Sequence, residues 1–175
     1  MHVPRLLLLV VVPALLVPTA PALAASPCPW ARLVPHRGNG ARVRAAMLCL
    51  VNQQRARAGL HVLRPNRELE RAANGHSAGM VREGVFAHGS VVDRLRAVRY
   101  MTGTVAWAIG ENIAYGYGNG ATASRTVSQW MHSPPHRRNI LTGSFRDAGV
   151  GLVSGVPSNA SRGATYTLDF GMRRG

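Results

Sequence analysis

The first 24 residues decide where the rest of the chain must fold. Met1 to Arg5 carries one positive charge, and Leu6 to Val17 is almost wholly apolar. The stretch PTAPALA then ends at Ala24, with small residues at the two positions a signal peptidase reads. This is the pattern of a secretory signal peptide over residues 1–24. The apolar run is shorter than the ~20 residues of a spanning helix. An uncleaved N-terminal anchor is the other reading of the same pattern. Cleavage near Ala24 or Ala25 leaves about 150 residues, the size of one domain. No other segment is apolar and long enough to cross a bilayer. The mature chain is therefore expected to lack a transmembrane segment and to be secreted, extracellular or cell-wall associated.

Export means oxidising conditions, so the two cysteines are read together. Cys28 lies just past the cleavage site, and Cys49 lies inside the first helical pattern. A bridge between them pins the mature N-terminus to that helix and contributes roughly 3 kcal/mol on the loop-entropy view. The charge is lopsided: 21 basic residues, all arginine, stand against 7 acidic ones, for a formal net charge of +14. Such a chain attracts polyanions. Outside the cell these are anionic envelope polymers, lipid headgroups or acidic sugars. The compartment argues against nucleic acid, and no basic run is interleaved with aromatics as in single-strand binders.

Residues 25–40 read as an extended lead-in, and residues 41–175 as one domain. Ala41 to Ala58 is helical, with Val43, Met47, Leu50, Val51 and Gln54 on one stripe and Arg42, Arg44, Gln53, Arg55 and Arg57 elsewhere. Arg64-Pro65 keeps the next link extended. Asn66 is a good N-cap for a second helix, and Glu68 and Glu70 suit its positive end. Leu69, Ala73, His76 and Met80 form its inner stripe, and Gly84 stops it. Val91 to Val98 reads as a short helix. A helix over Thr122–His132, burying Val127, Trp130 and Met131, stops before Pro134. Gly149–Val153 and Ala164–Gly171 read as strands joined by the polar loop SGVPSNASRG, with Tyr166, Leu168 and Phe170 alternating with Thr165, Thr167 and Asp169. Helices first and strands last point to an α+β fold.

Seven pieces fall in one order: NQQRARAGLHVL, LERAANGHSAGM, FAHGS, GENIA, WMHSPPHRRNIL, AGVGLV and YTLDFG. Together they resemble the CAP superfamily, or SCP-like extracellular domain, which includes cysteine-rich secretory, antigen 5 and pathogenesis-related proteins and many exported bacterial proteins. The resemblance covers about Ala41 to Gly171. It implies an α-β-α sandwich with a central antiparallel sheet between helical layers, and a strand between Met101 and Gly110 leading to GENI. It also implies a cleft with two His and two Glu. His88, Glu111 and His136 match three of these, and Ser133 stands where the second Glu is common.

The chemistry of this set can be stated without the resemblance. Two imidazoles can ligate a divalent ion such as zinc, with His88 and His136 as metal ligands and Glu111 as an outer-shell acceptor. Two ligands make an incomplete site, so such binding would be weak. The same residues also fit a purely structural network that crosslinks three segments, or a proton-transfer set. Ser133 as nucleophile with His136 as base is a further alternative, but it lacks the Gly-x-Ser-x-Gly elbow. Capping the turn before the prolines is the plainer role for Ser133. His76 reads as a core histidine and His132 as an exposed neighbour; His36 and His61 show no partner. Asn139 is expected to tie down its own turn, with Arg137 and Arg138 facing away or lining the rim. Three functions follow. One, whose ligand class only the resemblance implies, is a cleft that binds a small or lipid-like ligand, with or without a metal ion. Another is a hydrolase of peptide or cell-wall material. The last is an envelope-associated protein working through its basic surface.

Overall fold

A computed structural model describes residues 27–175. The leader expected over residues 1–24 lies outside the described residues. Cys28 and Cys49 are joined by a disulfide, with their Cα atoms 5.8 Å apart. The lead-in is thereby fastened to helix α1 (Gly40–Arg57), and Ser124 of a later helix donates its N–H to Ala31 O.

Helix α1 buries Val43, Ala46, Met47 and Val51 as its periodicity predicts, but it also buries Arg55. The sequence reading placed that arginine outside because of its charge. Arg55 is 0 % exposed. Its guanidinium donates to His61 O at 2.8 Å, Ile140 O at 2.7 Å, Thr142 O at 2.9 Å and Phe145 O at 3.2 Å. A planar fork of donors can serve several carbonyls at once. Here it fixes the link between the last helix and the sheet.

A two-residue strand β1 (Arg64–Pro65) precedes α2 (Arg67–Glu83). The α2 signals act as the sequence predicts. Asn66 accepts from Leu69 N at 3.0 Å, Glu68 and Glu70 sit in the first turn, and Gly84 closes the helix with φ at 70°. Helix α3 (Val91–Ala97) is capped by Ser90. Strand β2 (Ala106–Gly116) contains the GENI residues rather than merely leading to them. After a short 3-10 turn come α4 (Ala123–His132) and α5 (Pro134–Ile140). The two prolines open α5, where a missing N–H costs nothing. Strands β3 (Asp147–Val156) and β4 (Asn159–Arg174) end the chain. The stretch expected as a polar loop is mostly strand, since Val156 already pairs with Asn159.

The sheet order is β1-β3-β4-β2. The long pairs β3/β4 and β2/β4 are antiparallel, and only the two-residue β1 runs parallel to β3. β4 is therefore flanked on both sides. Helices cover both faces, giving the α-β-α sandwich. On one face Tyr166, Leu168 and Phe170 join Val43, Met47, Trp130 and Ile140 in the main core. On the other, Thr167 meets Ser77 of α2 at 2.9 Å, and Leu69, Ala72, Leu95 and Tyr100 form a smaller cluster.

Glycines set the second face. A Cβ on Gly149 would lie 2.1 Å from the Leu69 backbone, and one on Gly151 would lie 2.2 Å from that of Ala73. Helix α2 thus rests almost directly on the β3 backbone.

Candidate functional site

β2 is the edge strand that lies beside β4, and Glu111 stands opposite Asp169 in the register of that pair. Glu111 is buried, yet its carboxylate is crowded with partners. His88 Nδ1 lies 2.7 Å from Oε1, and Arg94 forms an ion pair with Oε2. His76 Nε2 lies 3.7 Å from Oε2 and is itself buried with no hydrogen-bond partner. Arg94 also donates to His88 O at 2.6 Å, which ties α3 to the segment after Gly84.

Both carboxyl oxygens of Asp169 are buried and no hydrogen bond in good geometry reaches them. Burial, then the charge of Glu111, pushes the Asp169 carboxyl well above the usual range, while Arg94 opposes the shift. Burial likewise holds His76 below its ordinary value, with Glu111 working against it.

His136 comes from α5. Its Nδ1 lies 2.8 Å from Ser133 Oγ. Burial and then His88 keep its imidazole below the usual histidine value, so His88 is an electrostatic neighbour. Glu111 bonds His88, whereas His136 bonds Ser133. Ser133 makes no side-chain cap at the start of α5, contrary to the sequence expectation, because its hydroxyl is turned to His136.

Asn139 also acts farther afield than expected. Its Nδ2 donates to Glu111 O and to Asn112 Oδ1, both at 2.9 Å, and so ties α5 to β2 rather than closing its own turn. Asn112 Nδ2 donates to His136 O at 3.1 Å, and Trp130 Nε1 to Ile113 O at 3.2 Å. Side chains thus occupy carbonyls of β2, an edge strand that would otherwise offer them to another chain. His132 lies outside this set; it is exposed and bonds Ser128 O within α4.

A cavity of about 450 Å³ opens beside these groups, lined chiefly by Phe86, Ile113, Tyr115, Trp130, Ser133 and His136. Phe86 and Tyr115 meet edge to face at 4.9 Å, both partly exposed at its lip. A second hollow of about 500 Å³ lies between α2 and α3, with His76 and Arg94 in its wall. Among the described residues no group of three or more His, Cys, Asp or Glu side chains is gathered so as to hold a metal ion.

Residues 48–169 match the family model CAP, cysteine-rich secretory protein family. The chain belongs to the CAP family. This CAP domain is similar to the uncharacterized protein YkwD of Bacillus subtilis, 34% identical over 111 residues, covering 59% of this chain and 40% of that protein. The uncharacterized membrane protein YlbC of the same organism is 35% identical over 112 residues, covering 61% of this chain and 30% of its own length. The chain thus spans less than half the length of these curated relatives.

Among solved structures, an extracellular SCP-domain protein from Bacillus anthracis superposes with a TM-score of 0.57 at 25% identity, covering 75% of this chain and 43% of that one. An outer surface protein of Borrelia burgdorferi shares the fold at TM-score 0.65 and 15% identity, covering 81% of this chain and all of that one, at 100%. Among the described residues of this CAP domain no helix is long and apolar enough to cross a membrane.

The sequence singled out His88, Glu111, Ser133 and His136; around Glu111 the structure adds Arg94, His76 and, opposite it in register, Asp169. The inward stripe of α2 did point His76 inside. Nothing local announced its carboxylate neighbour, since α2 and β2 meet only in the fold.

Proposed function

We propose that this CAP domain is an extracellular binding module that holds a small, partly apolar ligand in the cleft beside β2. The observation that carries this reading is the cavity itself. Its volume is in the range of small-molecule sites, and aromatic walls end in a few polar groups, Ser133, His136 and Gln129. The Phe86–Tyr115 pair forms an exposed aromatic lip, and the Ser133–His136 pair offers one polar anchor at the far side. The disulfide-intact protein should bind a fluorescent fatty-acid probe at one site. Phe86→Ala combined with Tyr115→Ala should weaken that binding by about tenfold through lost apolar contact, while Val62→Ala, on another surface, leaves it unchanged. Equal binding by all three proteins would rule out this cleft.

We propose a divalent ion as a second, weak occupant held by two imidazoles alone, since no group of three or more ligating side chains is gathered among the described residues. With Nδ1 of His88 and His136 engaged by Glu111 and Ser133, each ring keeps Nε2 for a metal, the arrangement outer-shell partners commonly impose. The remaining positions would fall to water, because a catalytic zinc takes three protein ligands and a structural one four. Zinc titration by calorimetry, on wild type and on His88→Ala and His136→Ala, tests this. One equivalent in wild type and none in either folded variant supports it; no heat in wild type removes it.

The Ser133–His136 hydrogen bond favours a hydrolase as the alternative. It supplies a nucleophile beside a base that burial keeps neutral. The carboxylate that would orient the base is engaged elsewhere, by His88 and Arg94. Turnover of ester or peptide substrates that disappears in Ser133→Ala would favour this reading over simple binding.

A further inference from the structure

The charge of the molecule is divided by layer. All 7 acidic residues fall outside α1, α4 and α5: Glu68, Glu70 and Glu83 on α2, Asp93 on α3, and Glu111, Asp147 and Asp169 on the strands. The α2/α3 layer also carries arginines, and Arg82 and Arg96 there have acidic neighbours, Glu83 and Asp93. Helices α4 and α5 have none of their own to neutralise Arg125, Arg137 and Arg138, all three exposed.

These arginines are not scattered over a convex surface. Arg137, Arg138 and His132 line a hollow of about 570 Å³. Arg125, Ser128 and His132 line another of about 440 Å³. The two meet at His132. The second also shares Gln129 and Ser133 with the ligand cavity beside β2. Adjoining hollows that share lining residues thus form a basic groove along α4 and α5 that reaches the mouth of that cavity.

We propose that this groove is a docking site for a linear polyanion without bases, a phosphate- or carboxylate-bearing polymer of the cell envelope. A chain of repeating negative charges can follow a groove and meet several guanidiniums in turn, and arginine forks match phosphate and carboxylate oxygens in pairs. A bilayer fits less well. The large exposed apolar side chains lie off these helices, Phe86 and Tyr115 among them at the mouth of the ligand cavity, so α4 and α5 themselves present no apolar wedge to enter lipid. A nucleic acid fits less well too, because α4 and α5 offer no exposed Trp, Tyr or Phe to stack bases. The groove adjoins the ligand cleft at Gln129 and Ser133, but Arg125, Arg137 and Arg138 do not line that cavity, so either reading can fail without the other.

The test uses the disulfide-intact protein and long-chain polyphosphate as the probe. Its affinity should fall as salt rises, because each neutralised phosphate releases counterions. The variant Arg125→Gln/Arg137→Gln/Arg138→Gln should bind about tenfold or more weakly and show a shallower salt dependence. A second variant, Arg67→Gln/Arg82→Gln/Arg96→Gln, removes the same charge from the α2/α3 layer and should lose much less. Circular dichroism and urea midpoints confirm that both variants are folded. Equal losses in the two variants would mean that net charge alone attracts the polymer, and would overturn the groove. So would tighter binding to anionic phosphatidylglycerol vesicles or to single-stranded DNA than to polyphosphate, or no binding to any of them.

Discussion

The two faces of β4 hold the same fold together by opposite means. Toward α1, α4 and α5 it presents Tyr166, Leu168 and Phe170, all fully buried in one large apolar core. Toward α2 and α3 it presents Thr167 and Asp169, with Gly149 and Gly151 beside them on β3. The first face is filled by side chains. The second is filled by backbone, with α2 lying close enough that a single added carbon collides with it. Close backbone approach leaves little apolar volume, so the second face tolerates polar groups and gathers the buried charges around Glu111. The buried carboxyl groups of Glu111 and Asp169 sit where the packing is made by backbone rather than by apolar side chains.

This contrast can be broken first at the glycines. Gly151→Ala would place a carbon within 2.5 Å of Ala73 and Asn74 backbone atoms, which cannot swing away as a side-chain end would. We expect a loss of about 4 kcal/mol or more, in the exceptional range for a point change. Urea denaturation measures it, and near-wild-type stability would mean that α2 is free to slide. The apolar face should fail in the other direction. Leu168→Ala removes volume from a close-packed core and should cost about 3 kcal/mol by cavity formation. The same assay applies, and a loss under about 1 kcal/mol would show that the core collapses to refill the site.

Within the polar face, Arg94→Ala leaves the Glu111 carboxylate buried without its guanidinium. Arg94 is about one-fifth exposed, so the loss belongs near or below the low end for broken buried pairs, about 2 kcal/mol. His88→Ala removes a half-exposed partner of the same carboxylate and should cost under about 1 kcal/mol. If the two variants are equally destabilised, Arg94 is not the main counter-charge of Glu111.

The subtlest effect concerns pH. The folded Asp169 carboxyl is pushed above its unfolded value, so its contribution is fully present below the ordinary carboxylate range and is lost as pH rises through the raised value. Asp169→Asn cannot ionise, so it should lose less stability than wild type as pH rises from acid toward neutrality. His76 and His136 are held below their ordinary value, so their contribution has the opposite sign. It is present above pH of about 6.5 and is lost as pH falls through the depressed values. Urea midpoints across pH separate the two. Parallel curves for wild type and Asp169→Asn would show that Asp169 carries no excess proton.

Local signals were largely legible in the sequence. The Asn66 cap, the Gly84 stop, the stripe on α1 and the alternation on β4 all act within a few residues, and one chain displays them. The bridge between Cys28 and Cys49 followed from compartment and count. What stayed hidden depended on distant segments meeting. Arg55 looks like any surface arginine until four carbonyls from other segments converge on it. Asp169 looks like the polar side of a half-exposed strand, because alternation alone cannot say that both faces of β4 are covered. Asn139 and Ser133 were assigned to their own turn, but their partners are β2 and His136. The resemblance grouped His88, Glu111, Ser133 and His136 in one cleft, and it could not say that His88 bonds Glu111 while His136 bonds Ser133.

The most direct test of the proposed cleft is an amide NMR titration of the disulfide-intact protein with a medium-chain fatty acid. The account predicts saturable shifts concentrated at Phe86, Ile113, Tyr115, Gln129, Ser133 and His136, with the backbone of α2 around Gly75 and Gly79 unmoved. Shifts confined to the hollow between α2 and α3, or no saturable shifts anywhere, would contradict it.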